Sequence, residues 1–498
     1  MTRYDRQERI NNWNQQTLLE SEVVVLGTNA LAHFVVAAAA ALGFGHIRII
    51  DNTFLDRAGH GEFLFDPDAG RQFKAEALAG AVERINPDVE AEAEIWRISA
   101  NRHTCILGQP NLIVDTSNDP VSELIVYRYG QEYGIPVLNA SARAYHSEAK
   151  RGHDGQIVRG DLSIDYFAQP SDPFTAAIAA ALVTDEGRSS LLPLPGEQRL
   201  KVPVYYNMLA ANYINRADQL PVTTAYTDRH ALVIGAGALG NWVVLLLALK
   251  GVKQITIMDD DDIEEVNLNR QIMFTLSDNP IGRTKAEVLA EVVQRICPDV
   301  RIEAKVQRFD GKEGFGCDVI YRCTDSLSSS LLINDYALDN KLPVVYMGTE
   351  VHSAQMYAFK PGRNYCLDCL LNLRETLTVN PEEVPDGCLV QPNPSVVTTN
   401  LLAAGVGSNY FDALFPAEGG SRPLPGNVLK YNFLAPNRLV YPFGEGLPAL
   451  DDSSECRCRE WVSASSASDG LGALCHPTFR SSRISPAPSA NGPSIKGR

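Results

Sequence analysis

Two doubly wound, mostly parallel α/β units in tandem are the architecture this sequence predicts, and three observations predict it. Strand-like apolar runs alternate with helix-like runs, which is the pattern of βαβ units closing on a parallel sheet. A glycine-rich turn, Gly235-Ala-Gly237-Ala-Leu-Gly240, lies between one such strand and one such helix. The same outline is written twice, with about 210 residues between corresponding positions.

The chain is 498 residues long, too long for one ordinary domain. An apolar content of 45% with 21% charged residues describes a globular protein with ample core. The formal net charge of −16 excludes a general nucleic-acid binder, which needs a basic stripe against phosphate. The first residues, Met1-Thr-Arg-Tyr-Asp-Arg, lack the apolar run of a signal peptide, and no run reaches the width of a bilayer. A cytoplasmic protein without nucleic-acid or membrane partners is expected. Ten cysteines are too sparse for a disulfide scaffold and cluster toward the C-terminal half, which points to metal or thiol chemistry.

In chain order, Val23-Val-Val-Leu-Gly27 opens the first copy as a strand and turn, and Ile47-Arg-Ile-Ile-Asp51 follows as its second strand. Arg84-Ile-Asn-Pro-Asp-Val89 and Gly134-Ile-Pro-Val137 are later landmarks of that copy. Their counterparts are His230 to Gly240, Gln254 to Asp259, Arg295 to Val300 and Lys341 to Val344. Between about 160 and 227 the correspondence fades. That stretch reads as an insertion in the first unit, with helical patterns at Phe174 to Val183 and Tyr205 to Ile214. The predicted organisation is thus a first unit over 1–227 and a second over 228–462. From 463 to 498 Ser, Pro, Gly and Ala dominate, which predicts a disordered tail.

The copies differ where chemistry would sit. In the second, Gly235, Gly237 and Gly240 allow backbone N–H groups and a helix N-terminus to approach phosphate. Asp259 ends the next strand, where a carboxylate can accept from a ribose diol. Arg270 and Lys285 suit a triphosphate, and Asp325 at the end of a later strand suits its Mg²⁺. In the first copy, Asn29 and Ala32 replace Gly237 and Gly240, Ala58-Gly-His-Gly-Glu-Phe replaces the Asn267 to Arg270 segment, and Asn118 replaces Asp325. ATP binding is therefore expected in the second unit and not in the first.

Taken in order, the glycine turn, Asp259-x-Asp261, Asn267-x-x-Arg270-Gln271, Gly282-x-x-Lys285-Ala and Cys323-Thr-Asp325 resemble the adenylating domains of ubiquitin-activating enzymes and their bacterial thiamine and molybdopterin relatives, the ThiF/MoeB family. The resemblance implies a fused inactive and active pair of such domains, a pseudo-dimer within one chain. It implies ATP contacts from Gly235, Gly237, Gly240, Asp259, Asp261, Asn267, Arg270, Gln271, Lys285 and Asp325, with magnesium on Asp325. The opening Arg3-Tyr-Asp-Arg6-Gln matches the family's R-Y-x-R-Q, whose second arginine reaches across to the partner's phosphates. Arg6 is then an arginine finger from the first half, with a solvated surface arginine as the plain alternative.

The resemblance also implies a structural zinc on Cys366-x-x-Cys369 and a distant second pair. Here that pair is Cys456-x-Cys458, one residue short of the usual spacing, so Cys475 or His476 stand as replacement donors and a set of packed reduced thiols stands as the alternative to zinc. Cys388 lies in Asn380-Pro-Glu-Glu-Val-Pro-Asp-Gly-Cys388, a segment too rich in Pro and Gly for regular structure. An exposed thiol there suits a transient thioester, and its place in a crossover loop at about 372–398 resembles that of the family's catalytic cysteine. Cys297 in a helix pattern and Cys323 at a strand end are poorer nucleophiles.

The function implied is ATP-dependent adenylation of the C-terminal carboxylate of a ubiquitin-like protein ending in glycine, followed by thioester formation on Cys388 and transfer to a conjugating enzyme. Fused minimal enzymes of this sort resemble those of bacterial ubiquitin-like conjugation operons, some antiviral. Two other functions are kept open: a sulfur-carrier-protein adenylyltransferase, and a non-catalytic scaffold that binds a ubiquitin-like protein.

Overall fold

The structure is a computed structural model that describes residues 2–56, 59, 61–66, 70–143, 146–151, 172–197, 204–207, 228–379, 394–415, 428–432, 434, 440–443, 456 and 458. Short runs of Val and Ile form the central strands because β-branched side chains buried on both faces suit a parallel sheet covered by helices. In the first unit the strands are β1 (Glu22–Leu26), β2 (His46–Ile50), β3 (Glu90–Glu94), β4 (Leu112–Asp115), β5 (Val137–Arg143), β6 (His146–Arg151) and β7 (Val204–Asn207). They lie in the order β3-β2-β1-β4-β5-β6-β7.

The second unit repeats that plan with β8 (His230–Ile234), β9 (Gln254–Met258), β10 (Arg301–Lys305), β11 (Val319–Arg322), β12 (Val344–Thr349), β13 (Ser353–Phe359), β14 (Val428–Asn432) and β15 (Val440–Phe443). Its order is β10-β9-β8-β11-β12-β13-β14-β15. β8 pairs in parallel with β9 and with β11, so the strand order reverses at the carboxyl end of β8. A crevice at such a reversal is where open α/β sheets bind ligands. The last strands of both sheets, β5 to β7 and β12 to β15, run antiparallel.

Four helices carry the core that joins the units: α2 (Ala30–Leu42), α4 (Pro173–Leu191), α5 (Ala238–Lys250) and α7 (Val397–Leu414). All thirteen residues of α2 are buried, as a helix apolar on every side requires. Residues of α2, α4, α5 and α7 belong to one continuous apolar cluster. Phe34 and Trp242 occupy matching places in the two copies and meet with ring centroids 6.0 Å apart. Gly405 of α7 lies so close to α4 that a Cβ there would fall 2.8 Å from Ile178.

Charge is set into this seam. Lys250 at the end of α5 pairs with Asp172, which caps α4, and with Asp412 of α7 at 3.2 Å. All three side chains are buried, and the Lys250 ammonium lies 4.6 Å from the centre of the Phe174 ring. Arg188 of α4 is likewise buried between Asp185 and Glu197, at 2.9 and 2.5 Å.

These helices correct one expectation. Within 160–227, the described residues are not an insertion: α4 and β7 take the places that α7 and β14 take in the second unit. The repeat is hard to read in sequence there because α4 and α7 carry no glycine turn and differ in their charged residues, Asp185, Glu186 and Arg188 in α4 and Asp412 in α7. The helix expected from Phe174 is α4, but Val204–Asn207 is a strand, so the helical pattern from Tyr205 fails at its start; residues 208–214 lie outside the described residues. At the far edge of the second sheet, β14 and β15 pair antiparallel. The tail after 463 is also outside the described residues.

Candidate nucleotide site and cysteine centre

β8 delivers the chain to Gly235, whose φ of +101° places it in the left-handed region that glycine occupies without strain. A Cβ on Gly235 would lie 2.7 Å from the Cys323 carbonyl oxygen, and one on Gly240 would lie 1.9 Å from the Gly235 oxygen. Both are therefore glycine because backbone passes against backbone. Gly237 is different. It is the N-cap of α5, it has ordinary φ, and a Cβ would meet nothing nearer than Gln271 Nε2 at 3.9 Å. What glycine provides there is an N-terminus with no side-chain cap, so the first N–H groups of a thirteen-residue helix face the crevice.

The predicted polar residues converge on that crevice by different routes. Asp259 leaves β9 with Oδ2 accepting from Ala236 N–H at 2.6 Å and Oδ1 from Asp261 N–H at 2.9 Å. Burial pushes its carboxyl up from the ordinary value, against the pull of the Lys285 ammonium. Lys285 is the first residue of α6 (Lys285–Ile296), and its Nζ donates to Asp261 Oδ2 at 2.6 Å. Gln271 is buried with Oε1 unpaired among the described residues, and its amide nitrogen faces Gly237. The unpaired Oε1 beside an uncapped helix start leaves a buried acceptor that a ligand donor could satisfy. Asp325 is exposed just beyond β11 and follows Thr324, whose backbone N would lie 3.2 Å from a Cβ on Gly235.

Asn267 and Arg270 are both buried. Asn267 spends its carbonyl oxygen locally, accepting from Glu264 N–H at 2.9 Å to close the turn Glu265–Asn267. Arg270 donates through Nη1 to Val266 O at 2.6 Å and to Asn269 Oδ1 at 2.8 Å.

Arg6 lies on α1 (Asp5–Glu8) of the first unit. The next residue, Gln7, accepts from Asn269 Nδ2 of the second unit at 3.2 Å. The motif at the start of the chain is thus docked on the arginine loop of the other copy. Gln7 and Asn269 have no sequence signal beyond standing next to Arg6 and Arg270, because only the fold brings them together.

The first unit shows how the same fold closes such a site. Asn29 caps α2, its Oδ1 accepting from Ala32 N–H at 3.2 Å while Nδ2 donates to Thr116 O at 2.6 Å. The helix N-terminus is filled by the protein itself. Lys74, the counterpart of Lys285, is held by both oxygens of Glu62 at 2.6 and 2.7 Å, and Glu62 stands at the position of Gln271.

Sulfur chemistry divides three ways. Cys366, Cys369, Cys456 and Cys458 bring their Sγ atoms within 4.8 Å of one another, with Cys366 to Cys456 at 3.6 Å and Cys369 to Cys458 at 3.5 Å. A tetrahedron of Zn–S bonds of about 2.3 Å has edges of about 3.8 Å, so these four fit a tetrahedral soft-metal site. The C-x-C spacing is enough to close the set, and Cys475 and His476 lie outside the described residues. Cys297 and Cys323 are unsuited to attack, burial pushing the first up to about 11 and the second higher still. Cys388 lies outside the described residues, as does most of the crossover loop around it.

The ThiF family description matches residues 4–158 and 217–434. An "adenylyltransferase and sulfurtransferase UBA4" of Yarrowia lipolytica is 34% identical over 147 residues, 29% of this chain and 36% of that protein. The "sulfur carrier protein ThiS adenylyltransferase" of Escherichia coli is 32% identical over 148 residues, covering 29% of this chain and 58% of its own. The "NEDD8-activating enzyme E1 catalytic subunit" of Caenorhabditis elegans is 32% identical over 173 residues, 30% of this chain and 38% of its own. The matches thus span less than two thirds of each relative. Among solved structures, E. coli MccB with ATP aligns at 18% identity with a TM-score of 0.36, over 42% of this chain and 62% of that one. Among the described residues no helix is long and apolar enough to cross a membrane.

Proposed function

Because the chain belongs to the ThiF family, most of its length matching in two segments, we propose that it activates a ubiquitin-like protein by adenylating that protein's C-terminal carboxylate. The observation that carries this reading is the contrast between the uncapped N-terminus of α5, with Gln271 Oε1 unpaired beside it, and the self-capped N-terminus of α2. ATP is assigned to the second unit: Gly235, Gly237 and Gly240 at the phosphate turn, Asp259 and Asp261 on the ribose side, and Asn267, Arg270, Gln271 and Lys285 about the phosphates. Arg6 is the finger from the first unit, the two halves acting as an intramolecular pseudo-dimer.

Asp325 would hold Mg²⁺, which supplies charge neutralisation on the triphosphate. A partner's C-terminal glycine carboxylate attacks the α-phosphorus, the bond to pyrophosphate breaks, and an acyl-adenylate forms. The protein's share is positioning and charge stabilisation. Cys388 then attacks the acyl carbon as thiolate, AMP leaves, and the thioester passes to the thiol of a conjugating enzyme. The four-cysteine centre would hold Zn²⁺, which clips the segment after β13 to the end of the described chain. The eight described cysteines are all free, which supports a reducing, cytoplasmic setting.

ATP–pyrophosphate exchange with small glycine-terminated proteins tests the reading, run beside non-reducing gels of wild type and Cys388→Ala. Exchange in both, with a thiol-sensitive adduct only in wild type, is expected; exchange in neither overturns it. Metal analysis is expected to give one equivalent of zinc per chain, and less than half an equivalent removes the zinc site. A second reading, activation of a sulfur carrier, is supported by the similarity to the Yarrowia lipolytica adenylyltransferase and sulfurtransferase and the E. coli sulfur carrier protein adenylyltransferase. It predicts exchange with the same kind of partner but a C-terminal thiocarboxylate as product. An antiviral role rests on resemblance alone.

A further inference from the structure

Gln7 and Asn269 are fully buried amides, one from each unit, and the hydrogen bonds around them have a fixed direction. Gln7 Nε2 donates to Leu42 O, the last residue of α2, at 3.0 Å, and to Gln15 Oε1 at 2.5 Å. Gln15 is itself held, donating to Leu42 O at 3.0 Å and accepting from Trp13 Nε1 at 3.0 Å. With its amide hydrogens committed to those two acceptors, Gln7 presents Oε1 to the second unit. Only the NH₂ of Asn269 can answer it, and does so at 3.2 Å. That choice turns Asn269 Oδ1 toward Arg270, which donates to it through Nη1 at 2.8 Å. Reversing either amide would set donor against donor and acceptor against acceptor, so both bonds would be lost in a buried place where unpaired polar groups are costly.

We propose that Gln7, acting through Asn269, sets the orientation of the Arg270 guanidinium, so that the inactive unit positions a phosphate-binding arginine of the active one. The two are positioning residues, and the proposal rests on the nucleotide reading above. It gives the first unit a second duty beside Arg6: the C-terminal carbonyl of α2 is the fixed point, and the chain of three bonds carries its direction across the seam to the site. A relay of this kind has no counterpart among the described residues of the first unit, where Gly61 stands in place of Arg270.

The test is a thermodynamic cycle on MgATP affinity, measured by calorimetry on the full chain without any protein partner. Gln7→Met and Asn269→Leu should each weaken MgATP about tenfold, and the double variant should match the weaker single within about twofold, because groups acting in series are not additive. In an Arg270→Ala background neither change should add more than about twofold. A Gln7→Met protein that binds MgATP like wild type overturns the relay. So does one that loses the same tenfold with Arg270 absent, since Gln7 would then act through Arg6 or through general packing. If Gln7→Met does not fold, Asn269→Leu, which leaves α1 intact, carries the same cycle against Arg270→Ala. Wild type that binds no MgATP overturns the nucleotide reading, and the relay with it.

Discussion

The start of α2 and the start of α5 are the same piece of fold with opposite outcomes. Each follows a buried strand and a glycine in the left-handed region, Gly27 at +95° and Gly235 at +101°. At α2 the next cap is Asn29, which satisfies the helix from within. At α5 it is Gly237, which satisfies nothing. The difference of one side chain decides whether the helix N-terminus is finished or waiting, and Glu62 against Gln271 repeats the lesson at the next position. Glu62 locks Lys74 in a largely buried ion pair, whereas Gln271 leaves its counterpart to a half-exposed partner, Asp261, that a triphosphate can displace. On the proposed reading, silencing a nucleotide site needs no loss of fold, only internal partners for the groups that would have met the ligand.

The sharpest way to break this comparison is to remove the same charge from both sites. Arg270→Ala or Lys285→Ala is expected to lower pyrophosphate exchange by roughly 10²–10³, the usual loss when one donor to a developing charge is deleted. Lys74→Met should leave exchange within about twofold. It should instead lower the melting temperature, because it strands Glu62 in a site where that carboxylate is mostly buried. Equal losses of exchange from both would mean that both sites take nucleotide.

A smaller effect is expected from writing the first unit's cap into the second. Gly237→Asn has room for its side chain, so the fold should persist while the amide caps α5. MgATP affinity should fall by about ten- to thirtyfold, with an unchanged or slightly raised melting temperature, a cap being worth about 1 kcal/mol. Unchanged affinity would remove the open N-terminus from the binding account.

Smallest is a pH effect confined to the first unit. Asp115 ends β4, where Arg322 stands in the second unit, and burial pushes its carboxyl up to about 6. A folded value above the unfolded one means that protonation favours folding. The stability from this group is present below about pH 4, is lost as pH rises toward 6, and stays lost above. Asp115→Asn should therefore stabilise the protein by about 2 kcal/mol at pH 8, with the gain vanishing near pH 4. A gain that does not change with pH would place the origin elsewhere than the ionised carboxylate.

Much of this was legible in the residues because the phosphate turn, the acid at the end of the second strand and the Arg270, Lys285 and Asp325 set are local patterns in fixed order. The two-sheet plan was legible for the same reason, from alternating strand and helix runs. What escaped was set by distance in space. The equivalence of α4 with α7 is a matter of packing between helices whose charged residues differ. The Gln7 to Asn269 bond joins positions that only the seam between the units brings together. Lys250 at the end of α5 is buried with Asp172, the cap of α4, and Asp412 of α7, which lie far apart in the chain. The closure of the four-cysteine centre through a C-x-C pair depended on backbone geometry that spacing rules do not capture.

The buried apolar residues of α2 and of Phe174 to Val183 in α4 have a consequence during synthesis. The ribosome finishes α4 at residue 191, but α7, which covers it, is complete only at residue 414. At about 5–20 residues per second the first half waits on the order of ten to forty-five seconds with a wide greasy face uncovered and Asp172 without Lys250. The nascent chain is thus a natural client for chaperones that hold emerging polypeptides, and its first half made alone would be recovered from the insoluble fraction.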